Sequence, residues 1–281
     1  MATNMTIENL FEGHTFVAVD TETTGLWALS NRIVEIGAVK FRLGKAEVET
    51  FQSLINPSVA MPLEVIPIHH ITDAMVKDAP TAAEILPRFL EFIGDAILVA
   101  HNAPFDISFI GCELDRYQLP LPESPVYDTV DIFHRLFPGF PSYSLLSLVH
   151  VFKIAESQEH RALADAHQVR GLMELAGKRL LDFDDPTEVI RSFTVHRMGE
   201  WRGREIELPA EYTDITVAIK HGLSLEILYA SENALPQRRI VHPKQVHSRR
   251  AHFYVLAYCE LAQAERTFRL DRIQSFQLIE T

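Results

Sequence analysis

The stretch FVAVDTETTGL, residues 16–26, constrains this chain more than any other. A mostly apolar run leads directly into Asp20, Glu22 follows two positions later, and Thr23-Thr24-Gly25 then breaks the pattern. Side chains alternate across a strand, so Asp20 and Glu22 project from one face at the end of a buried strand, where the backbone must turn. Two carboxylates forced together repel each other and attract a cation.

Related strand signatures follow at 33–41 (IVEIGAVKF) and 48–55 (VETFQSLI), rich in β-branched and aromatic residues and punctuated by Gly and Asn-Pro. The three segments read as an opening meander. TAAEILPRFLEFIG, 81–94, fits a helix with Thr81 as N-cap and Glu84 completing a capping box. AILVA, 96–100, is a short buried strand, and PFDISFIGCELDRY is a helix with Pro104 in its first turn. Two shorter helices are expected around 127–137 and 144–152, and ALADAHQVRGLMELAGKRLL is a long Ala- and Leu-rich helix ending near residue 180. A meander followed by alternating helices and strands indicates an α/β domain with a mixed sheet over residues 1–180.

LDFDDP, 181–186, is acidic, ends in proline and marks a break. Residues 181–215 read as a connector, in which TEVIRSFTVHRM fits one helix and WRGREIELPAEYTD is irregular. The span 216–281 changes character. LSLEILYAS, RRIVHPKQVHS, AHFYVLAYCEL and RTFRLDRIQSFQL are four strand-like segments, the pattern of a small all-β barrel or sandwich.

At 281 residues and 47% hydrophobic, the chain is long enough for two domains with cores of their own. It opens without a basic segment leading into an apolar one, and no apolar run approaches the roughly 20 residues that span a bilayer, so a cytoplasmic protein without a membrane partner is expected. Cys112 and Cys259 lie far apart without paired spacing, which argues against a disulfide framework and against a zinc site. The net charge of −12 speaks against a nucleic-acid partner until its distribution is considered. Residues 1–180 hold 13 Lys+Arg against 23 Asp+Glu, whereas 236–272 hold eight against three. The acid lies early and the base late.

Three further residues can join the Asp20–Glu22 pair. Asp106 follows HNAPF at the start of a helix, just beyond a buried strand, and can reach the same end of the sheet. His160 and Asp165 bracket the start of the last long helix in HRALADA. Carboxylates converging from separate elements make an oxygen-rich site suited to Mg²⁺ or Mn²⁺. A single Asp at a strand end is ordinarily a turn former, and a single His before a helix is ordinarily a cap; their joint occurrence favours chemistry over structure. His69, His70, His101 and His167 carry no such spacing and read as structural or surface residues.

VDTETTGL, VAHNAPFD and HRALADA, in this order, resemble the three signature segments of the DnaQ-like (DEDDh) 3′-to-5′ exonucleases, which share a ribonuclease-H-like fold. The resemblance covers about residues 14–180, and RIVEIGAVKF also matches. It implies a metal-dependent 3′-to-5′ exonuclease that releases nucleoside monophosphates from single-stranded DNA or RNA ends, with DNA favoured and two Mg²⁺ or Mn²⁺ ions as cofactors. Asp20 would bridge both ions, Glu22 and Asp165 would help to hold the one carrying the attacking water, and Asp106 would support the other through water. His160 would take the proton from that water, a task suited to an imidazole with its ordinary pKa of about 6.5. The backbone at Thr23 and Thr24 and the side chain of Leu26 would cradle and wedge the terminal nucleotide, with His101 and Asn102 within reach of substrate.

ILYAS, RRIVHP, HFYVLAYC and RTFRLDRI resemble a WYL domain, a small Sm- or SH3-like β-barrel module, over about residues 216–281. The match departs at the name-giving tripeptide, which here is Phe253-Tyr254-Val255. In strand alternation Arg266, Phe268 and Leu270 share one face and Arg269 and Asp271 the other. The resemblance implies a nucleotide or oligonucleotide ligand, with Arg239, Arg266, Arg269 and Arg272 as phosphate contacts and Tyr254 or Phe253 as a stacking surface; the competing reading is a solvated charge run in which Asp271 pairs with a neighbouring arginine. A second class of function stands beside the nuclease: a non-catalytic, ligand-sensing protein in which the barrel works and the first domain is scaffold. A degenerate scaffold is expected to lack one or more of the five site residues, and here all five are present.

Overall fold

The computed structural model describes residues 5–155, 160–201, 208–230, 235–249 and 252–279, and the chain divides into two compact units at residues 202 and 203. In the first unit a six-stranded mixed sheet runs in the order β3-β2-β1-β4-β5-β6. Its opening meander is β1 (Phe16–Thr23), β2 (Ile33–Phe41) and β3 (Val48–Leu54), antiparallel as expected. β4 (Ile97–Ala100) and β5 (Val126–Asp128) lie parallel to β1 and to each other. Phe16, Val17, Ala18 and Val19 are all fully buried, because β1 is central and carries a helical layer on each face.

Two clusters of apolar side chains define those layers. The short helices α1 (Ile66–His69) and α2 (Asp73–Val76) pack beside the sheet around Val34, Met61 and Ile71. On one face Val17 and Val19 meet α3 (Ala82–Ile93) and α4 (Ala103–Arg116) through Ile85, Leu86, Phe89, Ile107 and Ile110. On the other, Phe16 and Ala18 meet α5 (Thr129–Leu136), α6 (Leu145–Val151) and α7 (Ala162–Leu180) through Phe133, Leu148, Val169 and Leu172. Local signals fix the helix ends. The Glu84 carboxylate accepts from the N–H and the hydroxyl of Thr81, each at 2.8 Å, completing the expected capping box, and Asp128 caps α5 through the Val130 N–H at 2.8 Å.

The stretch 181–215 differs from the connector read from its sequence. TEVIRSFTVHRM is not one helix: α8 (Pro186–Arg191) begins with Asp185 capping the Glu188 N–H at 3.0 Å, and β6 (Val195–His196) then pairs antiparallel with β5, extending the first sheet. Most of WRGREI lies outside the described residues. Further on, α9 (Thr213–His221) belongs to the second unit, where Ile215 and Ala218 enter its core.

That second unit is a five-stranded antiparallel sheet, β7 (Ser224–Tyr229), β8 (Gln237–Arg249), β9 (His252–Cys259), β10 (Ala264–Arg269) and β11 (Ile273–Ile279), ordered β10-β9-β8-β7-β11. The expected last strand is split by a 3₁₀ turn at Leu270–Arg272, because Leu270 turns into the core. The expected barrel is not closed: among the described residues β10 and β11 form the two edges, joined by that turn and not by a ladder. No helix among the described residues is long and apolar enough to cross a membrane.

Candidate active site

The parallel pairing of β1 with β4 brings the C-terminal ends of both strands to one edge of the first unit. Asp20 and Glu22 end β1, and Asp165 arrives from the first turn of α7, so that one carboxylate oxygen from each of the three lies within 4.8 Å of the others. Asp106 arrives from the opposite layer, in the first turn of α4, where its Oδ1 accepts a hydrogen bond from Thr21 Oγ1 at 2.8 Å. Thr21 points away from Asp20 and Glu22 by strand alternation, which is why it meets the α4 side. The two helical layers thus each deliver one carboxylate to the strand end.

These groups hold protons unusually tightly. Asp20 is raised well above the ordinary aspartate range by desolvation and then by the charges of Asp106, Glu22 and Asp165. Glu22 is pushed up to about 8 by desolvation and by Asp165, and Asp106 to about 7 by burial, against the lowering hydrogen bond from Thr21. A helix N-terminus favours an anion by about 0.3–1 kcal/mol, less than the roughly 1.4 kcal/mol of one pKa unit, so desolvation outweighs it at Asp106. The donor set is three to four hard oxygens that resist ionising together, which a divalent cation relieves.

A pH signature follows for the metal-free protein. Glu22 and Asp106 have folded-state pKa values above their ordinary ones, so the folded state binds more protons and stability falls as pH rises from the ordinary carboxylate range through about 8. Melting in EDTA from pH 5 to 8.5 should show a steeper loss in wild type than in Glu22→Gln, and Mn²⁺ at pH 8 should restore the wild type. Identical pH slopes in the two proteins would contradict the coupled cluster.

His160 stands two residues before α7, with a left-handed backbone at φ 50°. Non-glycine residues in that region are uncommon, and His is among those enriched there. Between them, Arg161 pairs with the fully buried Glu35 of β2, donating from Nε at 3.0 Å and from Nη2 at 2.7 Å. Glu35 also accepts from Gln52 at 2.9 Å and from the Ala162 N–H at 3.1 Å. Burial pushes Glu35 up, but these donors outweigh it and hold the carboxyl below its ordinary value. The sequence reading singled out neither Glu35 nor Arg161. The available signal was one charge inside the otherwise apolar run IVEIGAV.

The loop after β1 is anchored from below. Thr23 and Thr24 are buried; the Thr23 hydroxyl donates to Gly25 O at 2.6 Å, and Thr24 Oγ1 accepts from the Arg32 N–H at 2.9 Å. Arg116 donates to the carbonyls of Ala28 and Leu29 at 2.7 and 2.6 Å, while buried Glu113 accepts from Arg32 Nε at 2.6 Å and Arg116 Nη1 at 2.9 Å. Leu26 stands out from this bracket, 59% exposed. Asn102 is exposed at the start of α4 in a left-handed conformation, its N–H donating to Asp128 at 2.9 Å. His101 hydrogen-bonds Thr129 at 2.8 Å, and burial lowers its pKa to about 4, so its ring is neutral.

The family model described as Exonuclease matches residues 17–172, a span that contains the whole carboxylate site. The chain belongs to this exonuclease family. Its first unit is a DnaQ-like exonuclease domain, and a WYL domain matches residues 211–278. DNA polymerase III PolC-type of Caldanaerobacter subterraneus subsp. tengcongensis is 41% identical over 151 residues, 54% of this chain and 11% of that protein. The same polymerase of Bacillus subtilis is 36% identical over 165 residues, 58% of this chain and again 11% of the relative. This chain therefore spans about a tenth of the length of these curated relatives. A solved 3′-exonuclease that recognises the 3′ end of a histone mRNA stem-loop superposes with a TM-score of 0.52 at 15% identity, covering 59% of this chain and 64% of that one, and it shares the fold of the exonuclease domain.

In the WYL domain the strand register divides the five singled-out residues. Tyr254 lies directly opposite Arg269, and Arg266 opposite the buried Ala257, which puts them on different faces. Arg269 is held in a bidentate pair by Asp271 at 2.6 and 3.0 Å, the outcome of the competing sequence reading. Arg239 sits opposite buried Ile227 and points to Cys259, with Nη1 3.9 Å from the sulfur. Arg272 falls in the 3₁₀ turn, its carbonyl accepting from the Ala230 N–H at 3.1 Å.

Proposed function

We propose that this exonuclease-family protein removes nucleoside monophosphates in the 3′-to-5′ direction from single-stranded nucleic acid, with DNA favoured, using two Mg²⁺ or Mn²⁺ ions. The observation that carries the reading is the three-carboxylate cluster of Asp20, Glu22 and Asp165 at the end of β1, with the charge of Asp106 bearing on Asp20. Those four residues would hold the cations, which when bound stabilise the charge on the attacking and leaving oxygens of a phosphodiester. Family membership supports the 3′-to-5′ polarity, and the polymerase relatives favour DNA.

The chain's own groups do the rest. His160, which precedes α7 by two residues in a left-handed backbone conformation, accepts the proton of the attacking water. The backbone at Thr23 and Thr24 faces the terminal nucleotide, Leu26 wedges against its base, and Asn102 meets the strand from the α4 side. Cations held by the site carboxylates would supply positive charge at the scissile phosphate, so the net charge of −12 is no obstacle. The deciding experiment compares 3′-labelled and 5′-labelled DNA and RNA strands with Mg²⁺, Mn²⁺ and EDTA. Stepwise shortening of the 5′-labelled strand, with mononucleotide release from the 3′ label and neither in EDTA, is expected; endonucleolytic or metal-independent cutting would overturn the reading.

The WYL domain completes the proposal as a second contact for a nucleotide or oligonucleotide, with the exposed Arg266 as its phosphate contact, since Arg269 is already paired with Asp271 and Tyr254 lies on the other face. Phosphate contacts are salt-sensitive, so oligonucleotide affinity measured on a cleavage-dead variant should fall with ionic strength, and Arg266→Ala should lower the log–log slope by about 1. An unchanged slope in Arg266→Ala would remove that residue from the interface.

A further inference from the structure

Asp165 reaches Asp20 and Glu22 only if the first turn of α7 is held at one height and rotation over the sheet. Two features of β2 set that height. β2 pairs antiparallel with β1 so that Gly37 lies opposite Asp20 and Glu35 opposite Glu22. At Gly37 the start of α7 comes so close that a Cβ would stand 2.1 Å from Ala162 C and from Leu163 N. At Glu35 the carboxylate takes both forks of Arg161 and the N–H of Ala162, the first residue of α7. Arg161, the N-cap of α7, offers no side-chain cap of its own, so a residue 127 positions away in sequence caps the helix. The Arg161 carbonyl in turn accepts from the Asp165 N–H at 3.0 Å. A continuous path of hydrogen bonds therefore runs from the strand residue facing Glu22 to the backbone of Asp165.

We propose that Glu35 and Arg161 act as one positioning lock that sets the first turn of α7, and through it the reach of Asp165 to Asp20 and Glu22. A buried ion pair is a weak source of net stability, so the contribution assigned to this one is its geometry. Neither residue is a catalytic residue: each acts through its neighbour. The role in hydrolysis rests on the nuclease reading, whereas the lock itself does not.

The test uses the full-length chain with Glu35→Gln, Arg161→Gln, Arg161→Lys and the double variant Glu35→Gln/Arg161→Gln. Arg161 is partly exposed, so Arg161→Lys preserves charge and fold while losing the planar fork. Three readouts are taken well below the melting temperature: amide exchange at residues 162–165, Mn²⁺ affinity, and kcat with KM on an oligonucleotide. The lock predicts faster exchange at 162–165 in both Gln variants, Mn²⁺ affinity and kcat each lower by roughly 10–100-fold, and KM within about twofold. Arg161→Lys should fall between wild type and Arg161→Gln. The double variant should be no worse than the poorer single variant, because the two residues act as a unit. Unchanged exchange at 162–165, or additive losses in the double variant, overturns the lock. A wild-type protein that cleaves nothing would instead overturn the nuclease reading, with exchange still deciding the lock.

Discussion

Asp20→Asn should lose hydrolysis by roughly 10³-fold or more while gaining stability in the absence of metal at pH 8. Both effects come from one carboxylate. Asp20 sits buried where the charges of Asp106, Glu22 and Asp165 all bear on it, so its ionisation is opposed and a cation relieves that opposition. Losing several kcal/mol of transition-state charge stabilisation corresponds to at least a thousandfold in rate. In the metal-free protein the same substitution removes a charge that its neighbours resist, so the melting temperature rises. Single-turnover rates and melting in EDTA check the two halves. A variant that is inactive and also less stable at pH 8 would point to simple misfolding.

The second large effect is expected at Gly37. An added Cβ would stand 2.1 Å from two backbone atoms of the α7 entry and 2.5 Å from a third, where ordinary contact begins at 3.4 Å. The obstruction is main chain and cannot rotate away, so in Gly37→Ala the first turn of α7 must withdraw from β2 and carry Asp165 with it. Overpacking of this kind costs about 1–3 kcal/mol in stability, and displacing a catalytic group by about 1 Å costs roughly 10²-fold in rate. Activity should therefore fall far more than the modest drop in melting temperature suggests, with oligonucleotide KM little changed. Wild-type kcat in Gly37→Ala would show that α7 does not set the site.

Much of this was legible in the sequence because the relevant information is local. Asp20 and Glu22 are identified by their spacing at a strand end, Thr81 and Glu84 by a capping box, and the meander by β-branched runs between breaks. What escaped reading is set by pairs distant along the chain. Glu35 and Arg161 are separated by 126 positions, and Gly37 gains its meaning from an α7 entry that the sequence cannot position. The same limit explains the second unit. Whether five strands close depends on the path between β10 and β11, and the Leu270–Arg272 turn joins them without pairing them. That turn also folds Asp271 back onto Arg269, which strand alternation alone would have left as two parallel side chains on one face. The two-residue β6 and the nine-residue α9 were missed because they are too short to show a period.

The most direct measurement is a calorimetric titration of Mn²⁺ into the metal-free protein at pH 8 and pH 6, in wild type and Asp20→Asn. Wild type should bind Mn²⁺ saturably and more weakly at pH 6, where protons hold Glu22 and Asp106, and Asp20→Asn should lose that binding. Equal Mn²⁺ binding by the two proteins, or binding indifferent to pH, would contradict the assignment of the β1 carboxylates as the metal centre.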